Sequence, residues 1–360
     1  MSISKNRIFL LLLSGAFLLS ACDKQQEPFS ASFPVRHAAS GSSSTVPEDP
    51  IPDDDPDPGP GPVTYPTLLS VLDKKIAEYA NDENAPLNHV YICAHRANTA
   101  YGKSNDIPEN SVWAIETAIE KGADMVELDV ALTSDGVLMI MHDDALSTTT
   151  DGSGNIGSKT YGQVKALRMH PRGKSSTYPM HNGDYVRVPT LKEALDACKD
   201  KIYVNLDTKG RELPIADVLD AIDKSGTMGQ VMIFGQGDEA KKSYISAAFS
   251  NYRQKLAIHP YINTPDALRG YLIKSYNGCC RLFQYGTEIY YTPTIERFGF
   301  SCHAQGGLSY SNSLDYDSQI SGWSSGACKV LDRFIASGSD FLQTDYCEKA
   351  DAYLTIKGLR

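Results

Sequence analysis

Two histidines and a pair of carboxylates stand where short apolar runs end in the first half of this sequence. His95 and Arg96 follow the run from Val90 to Ala94, Glu127 and Asp129 lie in a second run, and His142 follows a third. Imidazoles exchange protons near neutral pH, carboxylates bind hard cations, and a guanidinium pairs with phosphate. Together these side chains suit metal-assisted attack on a phosphate ester.

A second group of polar residues ends the run that begins at Ile202. Asn205, Asp207 and Lys209 alternate along this run, so in a strand they share one face. Asp207 would be a third carboxylate for a divalent cation, and Lys209 a second positive charge for phosphate.

Each of these residues also has an ordinary structural interpretation. A histidine after a strand is often only hydrogen-bonded, a Glu-x-Asp pair is often an exposed ion-pair edge, and Asp207 could simply pair with Lys209. Several apolar runs end in residues that are typical of active sites. This favours a site, because independent strands would otherwise have to end in such residues by chance.

The elements that must position these residues alternate between strand and helix. Short continuous apolar runs are typical of strands that are buried on both faces, and helix-spaced apolar residues separate most of them. The sequence contains nine such runs, one more than an eight-stranded barrel needs, so one is expected to be peripheral or false. The alternation and the length favour an α/β fold, a (β/α)8 TIM barrel, over an open doubly wound sheet. No glycine-rich phosphate loop follows the first run, which argues against a dinucleotide-binding fold.

The amino terminus predicts an exported protein with three sections. Two basic residues precede the twelve apolar residues from Ile8 to Leu19, a run too short to span a bilayer but typical of a secretory signal. It ends in Leu19-Ser20-Ala21-Cys22, which resembles the lipobox of bacterial lipoproteins and implies acylation of Cys22. We therefore expect a signal peptide at residues 1–22, a disordered tether rich in Pro, Asp, Gly and Ser at 23–62, and a single barrel domain at 63–360. The alternative is an ordinary signal with an incidental cysteine.

Composition restricts the partners of the globular part. The chain has 44 acidic and 34 basic residues, so it lacks the basic excess of a nucleic-acid-binding protein. The cysteines show no zinc-site spacing, and we expect most of them to be buried free thiols, with a disulfide framework as the alternative.

The motifs of residues 92–154 resemble those of the glycerophosphodiester phosphodiesterase family. The family signature runs His-Arg, Pro-Glu-Asn-Ser, Glu-x-Asp-Val, Thr-x-Asp-Gly and His-Asp, and the matching segments begin here at His95, Pro108, Glu127, Thr133 and His142. The segment from Val188 to Leu195 and the pair Thr344-Asp345 also match. The resemblance implies a barrel that hydrolyses glycerophosphodiesters to glycerol phosphate and an alcohol with a divalent metal, Ca²⁺ or Mg²⁺.

The resemblance also implies a role for each motif residue. It implies acid–base catalysis by His95 and His142, and phosphate or substrate binding by Arg96, Lys209 and Asn110. It implies metal binding by Glu127, Asp129 and Asp207. The substrate's neighbouring glycerol hydroxyl would attack the phosphorus, and water would open the cyclic phosphate that forms.

Three departures from the family pattern bear on the metal and on specificity. Asp207 stands where the family usually has Glu, and Thr148 where it often has Arg. The extra polar segment between Met169 and Arg187 either covers the site and binds a charged headgroup, or is a solvated surface loop.

Three functions remain open at this point. The first is hydrolysis of small glycerophosphodiesters by a protein that a lipid holds in the bacterial cell envelope, at the outer membrane on its periplasmic or surface face. The second is phospholipase-type cleavage of phosphatidylinositol or lysophospholipids on the same barrel. The third is a non-catalytic surface lipoprotein that binds glycerophosphoryl groups.

Overall fold

A computed structural model describes residues 65–208, 211, 213–236, 257–262, 282–285, 297–313 and 316–360. The signal, the tether, the acylation site Cys22, and Lys209 lie outside these residues. The division of the chain at residues 22 and 62 therefore stays a prediction.

Eight parallel strands close into a barrel, as the alternating pattern predicts. Each strand pairs with its neighbour in chain order, and the last pairs with the first through Tyr91–Phe341 and the residues that follow them. The barrel strands are β1 (Tyr91–Ala94), β2 (Met125–Leu132), β6 (Tyr203–Asp207), β7 (Val231–Gln236), β8 (Ala257–Ile262), β9 (Leu282–Tyr285), β10 (Leu308–Asn312) and β11 (Phe341–Thr344). The fold class is α/β, and the architecture is that of a TIM barrel.

The surplus run, which is the third along the sequence, is peripheral. It forms β3 (Leu138–Ile140), which pairs antiparallel with the end of β2 and extends it outside the barrel. Asp207 accordingly ends the third barrel strand, although it ends the fourth run of the sequence.

Helices follow most of the described strands, and several of them pack on the outside of the barrel. They are α1 (Leu68–Glu78), α2 (Ala100–Ser104), α3 (Val112–Glu120), α4 (Tyr161–Lys165), α5 (Leu191–Cys198), α6 (Ile215–Ser225), α7 (Phe298–His303), α8 (Asp317–Ser321), α9 (Lys329–Ser337) and α10 (Cys347–Ile356). The outward-facing residues Val126, Leu128 and Val204 pack in one buried cluster with α3, α5 and α6.

The floor of the barrel is closed by α1. Thr67 caps this helix by accepting a hydrogen bond from the backbone of Ser70. Leu68 and Leu72 are buried in the same cluster as the inward-facing Met125 and Tyr203. The lower barrel is therefore an apolar core, and polar residues are left to the opposite end.

A long insertion separates β3 from α5. It contains α4 and a small antiparallel hairpin, β4 (Met180–His181) and β5 (Asp184–Tyr185), over a core of its own that includes Met139, Met141 and Val164. This insertion includes the extra polar segment of the sequence.

The described cysteines are buried free thiols, in agreement with the composition. They are Cys93, Cys198, Cys302, Cys328 and Cys347. Among the described helices, none combines the length and the hydropathy that crossing a bilayer requires.

Candidate active site

Three carboxylates converge at the carboxyl ends of β2 and β6. Glu127 and Asp129 face the same side of β2, and Asp129 lies in register with Asp207 on β6. One oxygen of each carboxylate lies within 4.8 Å of the others. Burial raises the pKa of Glu127 well above its ordinary value, and the charges of Asp129 and Asp207 raise it further. Such concentrated negative charge is stabilised by a cation.

The donor set fits a hard divalent metal. Asn205 lies in register with Glu127, and its amide nitrogen donates to the hydroxyl of Tyr310 at 3.3 Å. Its buried Oδ1 has no hydrogen-bond donor among the described residues. Carboxylate and amide oxygens are the ligands that Ca²⁺ and Mg²⁺ prefer, so Glu127, Asp129 and Asp207 are the residues to hold such an ion, with Asn205 beside them.

The turn after β1 brings backbone as well as side chains to this cluster. Arg96 and Ala97 have φ values of +53° and +55°, a left-handed conformation that costs free energy for residues other than glycine. In this conformation the backbone N–H of Arg96 donates to Oε2 of Glu127 at 2.8 Å. The strained turn therefore fixes one of the candidate metal ligands.

The Arg96 guanidinium is buried among carboxylates. Its Nη1 donates to Oε1 of Glu109 at 2.9 Å, and its Nε lies 3.8 Å from Oδ2 of Asp129. Burial opposes the charged form, but Glu109, Asp129 and Glu127 outweigh burial and raise the pKa of Arg96. Arg96 therefore carries a fixed positive charge at the site, and its contact with phosphate stays a prediction.

Asn110 supports a candidate metal ligand. Its amide nitrogen donates to Oδ2 of Asp129 at 2.7 Å, and its Oδ1 accepts from the Asp129 backbone at 3.2 Å. The amide thus contacts Asp129 twice. Binding of phosphate by Asn110 stays a prediction.

His95 lies at the mouth of the barrel against Asp345. The Nδ1 of His95 is 3.3 Å from Oδ1 of Asp345, which also forms an ion pair with Lys103. Burial, followed by the charge of Arg96, lowers the pKa of His95 to about 4 although Asp345 opposes this shift. The imidazole is therefore neutral at pH 7 and able to accept a proton.

His142 reaches the same end of the barrel through β3. The backbone of Met141 donates to the carbonyl of Asp129 at 2.8 Å, which places the next residue beside the carboxylate cluster. Arg211 donates to the carbonyl of His142 at 2.6 Å, and the His142 Nδ1 lies 3.3 Å from Oδ2 of Asp143. Both predicted histidines thus have a carboxylate oxygen 3.3 Å from Nδ1.

Sequence reasoning gave no role to three residues that support the site: Glu109 and Asp345 belonged to matched motifs, and Lys103 carried no motif. Arg172 belonged to the extra polar segment, for which the sequence predicted either a cover that binds a headgroup or a solvated surface loop. Arg172 contacts Glu109 and Asp143, so the extra segment reaches the site. Thr148 is half-buried in a short turn of 3₁₀ helix, Leu146–Thr148.

The barrel and its acidic cluster define a class of α/β-barrel proteins with a candidate metal site at the carboxyl ends of the strands. We compared the sequence and the fold with those of known proteins. Residues 95–227 match the model of the glycerophosphoryl diester phosphodiesterase family. The first part of the barrel, which carries most of the candidate site, is therefore similar to that family.

Individual relatives match over the same part of the chain. Mouse glycerophosphodiester phosphodiesterase 1 is 39% identical over 127 residues, which is 35% of each chain. A glycerophosphodiester phosphodiesterase of Caldanaerobacter subterraneus is 37% identical over 120 residues, 33% of this chain and 44% of the relative. The chain thus spans about a third of the length of the mouse relative and less than half of the bacterial one.

Solved structures share the fold over a longer range. A glycerophosphoryl diester phosphodiesterase of Parabacteroides distasonis has a TM-score of 0.60 at 19% identity, over 82% of this chain and 94% of that one. A phosphodiesterase of Oleispira antarctica, solved with the product sn-glycerol-3-phosphate, has a TM-score of 0.54 at 20% identity, over 75% and 97%.

Proposed function

We propose that this protein hydrolyses glycerophosphodiesters to glycerol phosphate and an alcohol in a metal-dependent reaction. The observation that carries the proposal is the carboxylate cluster of Glu127, Asp129 and Asp207 with the buried guanidinium of Arg96 beside it. A phosphodiester substrate is an anion that needs both a cation and donors for its oxygens. The relatives named for this activity support the reaction class.

In this proposal the cation is Ca²⁺ or Mg²⁺, held by Glu127, Asp129 and Asp207. A metal at this position supplies Lewis-acid stabilisation of negative charge on phosphate and lowers the pKa of a bound hydroxyl. The shorter side chain of Asp207 leaves more room than glutamate would, which favours the larger of the two ions. Arg96, already charged and held by Glu109, binds a phosphate oxygen.

The two histidines divide the proton transfers. His95 is neutral at pH 7, so it accepts the proton of the attacking hydroxyl. His142, whose ring lies against Asp143, donates a proton to the leaving alcohol. Water then opens the cyclic phosphate with the two roles exchanged, which leaves glycerol phosphate.

Product identification tests the reaction class. The purified protein is incubated with glycerophosphocholine, glycerophosphoinositol or a lysophospholipid, with Ca²⁺ or Mg²⁺, and the products are followed by ³¹P NMR. Glycerol phosphate from the first two substrates is the expected result. Turnover of the lysophospholipid alone would favour phospholipase-type cleavage, and binding without turnover would favour a glycerophosphoryl-binding protein.

We further propose that the protein is exported and anchored in the bacterial cell envelope by lipid on Cys22. The support is the apolar run Ile8–Leu19, the sequence Leu19-Ser20-Ala21-Cys22, and the long polar segment that follows. Labelling of cells with a radioactive fatty acid tests the anchor. Label on the wild-type protein and none on Cys22→Ala is expected, and an unlabelled wild-type protein would contradict the anchor.

A further inference from the structure

Arg172 lies in the extra polar segment and joins two acidic residues that are distant in sequence. Its Nε is 3.2 Å from each carboxylate oxygen of Glu109, and its Nη2 is 2.7 Å from Oε1 of the same residue. The same Nη2 also donates to the Asp143 carboxylate. One guanidinium thus bridges the loop before α3 and the residue after His142.

Each of the two acids leads directly to a candidate site residue. Glu109 accepts from Arg96 at 2.9 Å, and Asp143 lies 3.3 Å from the His142 imidazole. A continuous chain of contacts therefore runs from Arg96 through Glu109, Arg172 and Asp143 to His142. Its two ends are the predicted phosphate-binding group and the predicted proton donor.

Burial makes this chain stronger than an ordinary surface network. The Glu109 side chain is 8% exposed, and those of Asp143 and Arg172 are 25% and 31% exposed. Burial opposes ionisation of Glu109, but Arg96 and Arg172 together lower its pKa to about 2. Burial likewise opposes ionisation of Asp143, and the adjacent His142 imidazole and the Arg172 guanidinium hold its pKa below the usual range. Arg96, Glu109, Arg172 and Asp143 are thus all charged at pH 7.

We propose that Arg172 is a positioning residue that fixes the relative orientation of Arg96 and His142 through Glu109 and Asp143. This inference rests on the proposed phosphodiesterase function. The planar fork of an arginine is needed, because it holds two carboxylates at once, whereas a lysine offers a point charge. Arg172 comes from a segment outside the barrel strands, so the insertion contributes to the order of the site.

Steady-state kinetics separate positioning from substrate binding. Arg172→Gln is expected to lower kcat for glycerophosphocholine by about 10- to 100-fold, the range typical of residues that orient a metal site or its neighbours, with KM nearly unchanged. Arg172→Lys should fall between this variant and the wild type. A rise in KM with kcat unchanged would show that Arg172 binds the headgroup instead, and an unchanged kcat would also overturn the proposal.

Arg168→Gln is the matched control. Arg168 lies in the same insertion and pairs with Asp151 at 2.7 Å, but this pair does not extend to Arg96 or His142. Its kcat should stay at the wild-type level. A loss as large as that of Arg172→Gln would mean that any disturbance of the insertion lowers activity, which contradicts the specific role of Arg172.

Coupling with Asp143 gives a second test in the same assay. If Arg172 acts through Asp143, Arg172→Gln and Asp143→Asn should be non-additive, so the double variant should lose no more than the worse single variant. Additive losses would show that the two residues act independently. Guanidinium ion added to Arg172→Ala should restore part of kcat, and the absence of this rescue would count against a local role.

An NMR measurement tests the positioning role of Arg172 independently of the proposed phosphodiesterase function. The ¹⁵N and ¹H signals of the His142 imidazole are recorded in the wild-type protein, Arg172→Gln and Arg168→Gln. We expect the signals to shift or broaden only in Arg172→Gln, whether or not the wild type turns over glycerophosphocholine. Unchanged His142 signals in Arg172→Gln would overturn the positioning role, whereas a wild-type protein without turnover would overturn the proposed function alone.

Discussion

At the scale of single residues, the candidate metal site depends on a second layer of hydrogen bonds. Asn110 contacts Asp129 twice, and the backbone of Arg96 holds Glu127. Such contacts fix the orientation of ligands before a metal arrives, which lowers the cost of binding.

Removal of the Asn110 amide should therefore weaken metal binding, although all three candidate metal ligands stay in place. Asn110→Ala is expected to lower the affinity for Ca²⁺ or Mg²⁺ by about 10- to 100-fold, measured by isothermal titration calorimetry. Asn105→Ala, in an exposed position on the same loop, is the control and should bind like the wild type. Equal affinities for Asn110→Ala and the wild type would show that Asp129 needs no such support.

Glu109 makes stability depend on pH. Its pKa is about 2 in the folded protein against an ordinary value of 4.5, so its ionised form contributes stability above pH 4.5, and this contribution is lost as the pH falls toward 2. The shift corresponds to about 3 kcal/mol. Glu109→Gln should thus be destabilised at pH 7, and its difference from the wild type should shrink as the pH falls through this window. Urea unfolding at several pH values measures this difference, and a gap that stays constant with pH would contradict the assignment.

The sequence predicted the histidines and carboxylates of the site, but it did not predict the contacts of the residues that hold them in place. The histidines and carboxylates could be found because each lies at or near the carboxyl end of an apolar run. The alternation of strand and helix predicts parallel strands, whose carboxyl ends meet at the same end of the barrel. The contacts of Glu109 and Asp345 could not be found, because a charge pair between loops depends on the path of each loop in space. Arg172 is 63 residues from Glu109, and no local pattern relates the two.

At the scale of elements, β3 shows a signal that sequence reasoning left unused. Its apolar run looks like a barrel strand, but only the turn of residues 133–137 separates it from β2. A parallel neighbour needs a crossover of a dozen or more residues, so this spacing permits only an antiparallel hairpin. The hairpin delivers His142 to the site and starts the insertion that carries Arg172.

The helix α5 begins with a capping box that the sequence already displays. The Thr190 side chain accepts from the Glu193 backbone, and the Glu193 carboxylate accepts from the Thr190 backbone at 2.7 Å. Thr190→Ala should lower the free energy of unfolding by about 1 kcal/mol, as seen by chemical denaturation. Thr190→Ser keeps the hydroxyl and should recover most of this loss, so equal losses in both variants would assign the effect to the methyl group.

At the scale of the whole molecule, Arg360 ties the last helix to the first two barrel strands. Its Nη1 lies 3.2 Å from Oδ2 of Asp124 and its Nε 2.7 Å from Asp351, while Asp124 also accepts from the backbone of Ile92 at 2.8 Å. Burial raises the pKa of Asp124 well above its ordinary value, and Arg360 opposes this effect. The pair is therefore sensitive to the loss of either partner.

Truncation of Arg360 should destabilise the barrel as a whole. Arg360→Ala leaves the buried Asp124 carboxylate without its guanidinium, and we expect a loss of roughly 3–5 kcal/mol in chemical denaturation. Lys357→Ala removes an exposed pair with Asp332 and should cost less than about 1 kcal/mol. Similar small losses in both variants would show that Arg360 contributes no more than a surface charge.

The central claim is that the carboxylate cluster and the two histidines form a metal-dependent phosphodiesterase site. Its most direct test is glycerophosphocholine hydrolysis by the wild type and by His142→Ala, each with added Ca²⁺ or Mg²⁺, after EDTA, and after metal is restored. We predict turnover that EDTA abolishes and metal restores in the wild type, and little turnover in His142→Ala under any condition. Turnover that survives EDTA, or full activity in His142→Ala, would contradict the claim.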